Sequence, residues 1–120
     1  MADVLLVEDD LNMSLALKER LVADGHDVRM VNDADKALAM MRTKVPAVLL
    51  VDRWLPGMTG IEMLDALSRD PVLAKAKMSI TILTNLEDPD VAAEMGKRGY
   101  GYLVKADHSL DELAAYVGSQ

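Results

Sequence analysis

The chain predicts an α/β fold: a five-stranded parallel sheet, doubly wound with helices on both faces in (βα)5 order. Three observations carry this. Short, mostly apolar runs recur at Val4–Val7, Ala47–Val51 and Ile80–Leu83, the pattern of strands buried on both faces. The stretches between them space their apolar residues at three and four, as amphipathic helices do. Cap and turn residues mark the junctions, and alternation of strand with helix implies parallel strands joined by crossover helices.

The elements follow in order. After the strand Val4–Val7, the run from Leu11 to Val22 reads as the first helix, with Asp10 as its cap and Gly25 suited to its left-handed stop. Val28–Val31 is a second strand, and Ala34 to Met41 a second helix capped by Asn32 or Asp33. Ala47–Val51 is the third strand and Asp52 to Gly60 a loop, with Pro56-Gly57 as its turn signal. Thr59 and Glu62 form a capping-box pattern that opens a third helix, which Pro71 ends. Ile80–Leu83 is the fourth strand, and Asp88-Pro89 gives a cap with proline at the first helical position. Tyr102–Val104 is the fifth strand, and Ser109 with Glu112 starts a short last helix. The methionines, nine in a chain without phenylalanine, are expected mostly as helix-face core fillers.

Bulk properties narrow the function. At 120 residues the chain is expected to be a single domain, residues 1–120. A net charge of −7 argues against direct binding of nucleic acid, which demands clustered Lys and Arg. No apolar stretch approaches the roughly 20 residues of a membrane span, and no basic segment precedes an apolar one at the start, as a secretory signal would require. The absence of cysteine removes thiolate metal sites and fits a cytoplasmic setting.

The chemistry lies where the strands end. Val7 runs into Glu8-Asp9-Asp10, Val51 into Asp52, Leu83 into Thr84 and Val104 into Lys105. In a parallel α/β sheet these carboxyl ends share a crevice where ligands bind. A carboxylate cluster, a lone carboxylate, a hydroxyl and an amine suit a divalent cation with a phosphoryl group. Mg²⁺ takes oxygen ligands and keeps waters and a phosphate in its shell, so Glu8, Asp9 and Asp52 are its candidate ligands. Asp52, alone at the end of the central strand, is the candidate nucleophile, since carboxylates form aspartyl-phosphate intermediates. Thr84 and Lys105 are candidates to bind phosphoryl oxygens.

These residues resemble the receiver domain of two-component response regulators, a flavodoxin-like fold, along essentially the whole chain. The motifs are Leu5 through Asp10, Leu50-Val51-Asp52 followed by Leu55 through Gly60, Thr84 closing a strand, and Tyr102-Leu103-Val104-Lys105. The resemblance implies that Asp52 accepts a phosphoryl group from a sensor histidine kinase or a histidine phosphotransfer protein. Glu8, Asp9, Asp52 and the main-chain carbonyl of Trp54 would hold Mg²⁺, with Mn²⁺ as a substitute. It also implies a switch, in which Thr84 moves toward the phosphate together with reorientation of Tyr102. The output surface for an effector protein or a self-dimer would be the fourth helix, fifth strand and fifth helix, around Val91 to Met95, Tyr100, Tyr102 and Leu113 to Val117. Such a protein catalyses only its own phosphorylation and dephosphorylation and turns over no external substrate.

Three departures from the family pattern stand out. Asn85 follows the threonine where the family has a small residue, and Ala106 follows Lys105 where it has proline. A trans bond is therefore expected at Lys105-Ala106, because a non-proline cis bond costs about 2.5–4 kcal/mol. Arg53-Trp54 replaces the usual aliphatic or small polar pair. Trp54 and Leu86, both bulky and apolar, flank the phosphate position and are expected to prolong the phosphoryl state. The alternative reading is a degenerate, phosphorylation-independent interaction module, favoured by Asn85 and Ala106. An aspartate-dependent phosphatase would need a second acid where Trp54 stands, and a flavin-binding module would need a phosphate loop where Glu8-Asp9-Asp10 stand.

Overall fold

A computed structural model describes residues 1–120. Five strands alternate with five helices: β1 (Asp3–Val7), α1 (Leu11–Ala23), β2 (Asp27–Val31), α2 (Ala34–Thr43), β3 (Val48–Asp52), α3 (Gly60–Arg69), β4 (Ser79–Thr84), α4 (Pro89–Lys97), β5 (Gly101–Val104) and α5 (Leu110–Gly118). The strands form one parallel sheet in the order β2-β1-β3-β4-β5. This is the expected doubly wound architecture. The short 3₁₀ turns at Leu73–Lys75 and Lys105–Asp107 were not foreseen, because three residues carry no periodicity to read.

The two-residue period of the strands divides the core into two layers. Leu5, Val7, Leu49, Val51, Ile80 and Ile82 face α2, α3 and α4, where they meet Leu38, Met41, Met63, Leu64, Val91 and Met95. Val4, Leu6, Val48, Leu50 and Leu83 face α1 and α5, meeting Leu17, Leu21, Leu113 and Val117. Because the central strands are covered on both sides, every residue of β3 is buried. Met41, Met63 and Met95 are fully enclosed, in keeping with their expected part as core fillers.

Local signals set the element ends. Asp10, Asp33 and Asp88 each accept a main-chain N–H from the first turn of their helix. Thr59 with Glu62 and Ser109 with Glu112 close full capping boxes. Gly25 takes φ 95° after α1, a conformation that costs glycine little. No peptide bond is cis, so Lys105-Ala106 is trans as expected. No helix is long and apolar enough to cross a membrane.

The ranges expected for the output surface mix core and outward residues: Ala93 and Ala115 are exposed and Tyr100, Tyr102 and Tyr116 half-buried, whereas Val91, Met95, Leu113, Ala114 and Val117 are buried. Their spacing turns them toward the sheet, as an amphipathic helix requires. What α4 presents outward is Pro89, Asp90, Ala93, Gly96 and Lys97, and α5 presents Leu110, Asp111, Glu112, Ala115 and Gly118.

Candidate functional site

The register of the sheet builds the site. Val7 pairs with Val51, so Glu8 at the end of β1 lies beside Asp52 at the end of β3. Asp52 pairs with Leu83 and Thr84 with Val104, which sets Thr84 and Lys105 one step further along on β4 and β5. The strand order reverses direction between β1 and β3, the topological switch point where α/β sheets place ligands.

Glu8 and Asp52 are buried, at 3% and 5% exposure. Lys105 Nζ lies between them, 2.9 Å from Glu8 Oε2 and 3.4 Å from Asp52 Oδ1. Glu8 Oε1 also accepts the Asp10 N–H at 3.0 Å. Burial first, and then the Asp52 carboxylate beside it, push the Glu8 carboxyl above its ordinary 4.5, against the opposing pull of Asp10 N–H and Lys105. One ammonium serves two enclosed carboxyl groups, so with both ionised the cluster would carry a net negative charge.

The other expected residues lie outside this trio. Asp9 is exposed and, with Glu8, Ser14, Asn32 and Lys36, lines a cavity of about 390 Å³ on the β2 side of the site that does not include Asp52. Thr84 is buried, and its hydroxyl donates to Leu86 O at 3.0 Å. Tyr102 is half-buried and its Oη accepts the Asp88 N–H at 2.7 Å. Asn85 and Leu86 are exposed, Leu86 at 78%. Trp54 is 56% exposed, and its carbonyl accepts no main-chain hydrogen bond.

Whether these residues suit Mg²⁺ follows from their chemistry. No three carboxylates stand close enough to enclose a metal in this form. The donors fit in kind, however: hard oxygens from two buried acids, a third acid one residue along, and a carbonyl without a main-chain partner. The surplus negative charge at Glu8 and Asp52 is what a cation beside them would offset.

Arg53 was passed over in the sequence for any role toward Asp88. Its side chain reaches Asp88, the cap of α4, with Nη1 to Oδ2 at 2.9 Å. Its guanidinium also stands 4.7 Å from the centroid of the Trp54 ring, within cation–π range. A sequence separation of 35 hides this pair from any local pattern.

The Val91 N–H first, and the Arg53 guanidinium after it, hold the Asp88 carboxyl below its ordinary 3.8. A depressed carboxylate contributes stability that is present above 3.8 and is lost as pH falls through the folded value. Asp88→Asn keeps a capping side chain but not the charge. Its urea midpoint is therefore expected to change less than the wild type's between pH 4 and pH 2, in denaturation series run across that window.

The response regulator receiver domain family model matches residues 4–117, and the chain belongs to that family. It is 31% identical to the hydrogenase transcriptional regulatory protein HoxA of Cupriavidus necator, over 99% of this chain and 25% of HoxA. It is 32% identical to the sensor histidine kinase AruS of Pseudomonas aeruginosa, over 97% of this chain and 12% of AruS. The chain thus spans a quarter or less of the length of these relatives. Among solved structures, the chemotaxis response regulator CheY4 of Vibrio cholerae superimposes with a TM-score of 0.85 at 28% identity, covering 99% of this chain and 98% of that one. The Francisella response regulator 1452 receiver domain gives 0.85 at 27% identity, covering 99% and 95%.

Proposed function

We propose that this receiver domain accepts a phosphoryl group on Asp52, in a Mg²⁺-dependent reaction, from a sensor histidine kinase or a histidine phosphotransfer protein. The observation that carries this reading is the enclosed Glu8–Asp52 pair held by Lys105 at the sheet's switch point. An Asp52 carboxylate oxygen attacks phosphorus, the donor's N–P bond breaks, and the imidazole nitrogen keeps the electron pair and ends protonated. Glu8, Asp9, Asp52 and the Trp54 carbonyl would hold Mg²⁺, which would supply positive charge toward the phosphoryl oxygens. Lys105 and Thr84 bind those oxygens, which requires the Thr84 hydroxyl to leave Leu86 O. The chain turns over no external substrate in this reading. A cytoplasmic setting, and an effector or self-dimer contact through the outward residues of α4, β5 and α5, complete it.

The direct test is intact mass after incubation with a small phosphodonor such as acetyl phosphate. A gain of one phosphoryl group with Mg²⁺ and none with a chelator is expected; no gain under either condition rejects the proposal.

Trp54 and Leu86 present apolar surface beside the site and are expected to hinder the water that hydrolyses the acyl phosphate. Replacing both with small polar residues should shorten the phosphoryl lifetime severalfold, measured by following the mass of the phosphorylated protein as it decays. An unchanged lifetime would remove them from any such role.

A further inference from the structure

We infer that Arg53 is a positioning residue whose brace to Asp88 restrains the segment from Thr84 to Asp88 against the rearrangement that phosphoryl binding demands. This inference deepens the proposed function and rests on it. The backbone of Arg53 is fixed on both sides: its N–H donates to Leu83 O at 2.8 Å, and its carbonyl accepts the Gly60 N–H at 2.7 Å. From that anchored position, next in sequence to Asp52, the side chain stacks on Trp54 and pairs with Asp88. A guanidinium is suited to this double contact, since its planar face stacks while its edge donates.

Asp88 holds the far end of the segment in three ways. Its carboxylate accepts from Asp90 and Val91 at the start of α4 and pairs with Arg53, and its N–H donates to Tyr102 Oη. The near end is held by the Thr84 hydroxyl on Leu86 O. A hydroxyl has one proton to donate, so Thr84 can serve a phosphoryl oxygen only by releasing Leu86. The segment, released from Thr84, is then free to shift, and Arg53 resists this through Asp88. Arg53 therefore links the strand that carries the phosphoacceptor to the first turn of α4 and to Tyr102, and its brace favours the resting arrangement.

The pair is partly exposed, with side chains at 19% and 31%, so its removal corresponds to about a two- to fivefold effect. The variants are Arg53→Gln, Asp88→Asn (which keeps a capping side chain), Arg53→Lys and the double variant Arg53→Gln/Asp88→Asn. Two readouts are needed: amide exchange at residue 88 without phosphodonor, and the rate of mass gain with Mg²⁺ and acetyl phosphate. Both should rise about two- to fivefold in Arg53→Gln and in Asp88→Asn. The double variant should match either single one, because the two residues act as one contact, and Arg53→Lys, which keeps the charge but not the planar fork, should lie between wild type and Arg53→Gln. A general loss of stability would instead slow phosphoryl acceptance and add up in the double variant. Wild-type rates in both single variants, or additive effects in the double, overturn the inference. If the wild type itself gains no phosphoryl group, the function reading fails, and the exchange rates alone decide whether the brace restrains the segment.

Discussion

Lys105→Met is expected to destabilise the metal-free protein at pH 7 by roughly 2–4 kcal/mol, among the largest effects of any single substitution in this chain. Methionine keeps an unbranched stem of similar volume, so the change is chiefly the loss of charge. Glu8 and Asp52, at 0% and 7% side-chain exposure, would then face each other without a cation. Removing one partner of an enclosed ion pair costs about 3–5 kcal/mol, and here Glu8 can relieve part of the strain by taking a proton. The sign with pH follows from that relief. A carboxyl whose folded pKa is raised gives stability that is present below its ordinary value, 4.5 for Glu8, and lost as pH rises through the folded value. The deficit of Lys105→Met should thus be greatest at neutral pH and shrink toward pH 4.5, and Mg²⁺ at neutral pH should reduce it. Urea unfolding at the two pH values, with and without Mg²⁺, reads this. Equal midpoints for variant and wild type at pH 7 would mean that Lys105 does not balance the two acids.

The second large effect falls on Gly60, the first residue of α3. A Cβ there would stand 2.3 Å from Asp52 O and 3.0 Å from Asp52 C and Val51 Cγ1. The obstruction is backbone, which cannot rotate aside as a flexible side chain does. Gly60→Ala is expected to cost about 1–3 kcal/mol, at the upper end of that range because the sheet end must move. The same displacement shifts Asp52 against Glu8 and Lys105, so phosphoryl acceptance should fall more steeply than stability does. Urea midpoints together with rates of mass gain separate the two losses. Wild-type values for both would show that α3 can slide away from β3 freely, contrary to the close approach seen here.

These two positions illustrate what the sequence discloses. Apolar runs that end in Glu8, Asp52, Thr84 and Lys105 could be read directly, since a buried strand is a local pattern and a parallel sheet brings its carboxyl ends together. The capping boxes at Thr59 and Ser109 were legible for the same reason, as their partners lie three residues apart. Gly60 belonged to a visible motif, but its function as the point where a helix start touches a strand end depends on three-dimensional approach.

Other features were beyond local reading. Asp9 follows Glu8 directly, yet one side chain enters the cluster and the other faces out, because neighbouring residues leave a strand end in different directions. The partner of the Thr84 hydroxyl and the reach of Arg53 to Asp88 are settled by loop path and rotamer. The ranges named on α4 and α5 hold two kinds of residue. Apolar residues at helical spacing mark the side that packs on the sheet, so Val91, Met95, Leu113 and Val117 belong to the core, while Ala93 and Ala115 between them are exposed.

Everything proposed for this site turns on Asp52 being the residue that takes the phosphoryl group. Intact mass with Mg²⁺ and acetyl phosphate, run on wild type and on Asp52→Asn, decides it. A gain of one phosphoryl group is expected in the wild type and none in Asp52→Asn. The variant is expected to be folded and, freed of one enclosed carboxylate, at least as stable without metal as the wild type. An equal gain in Asp52→Asn, or no gain in the wild type, would contradict that assignment.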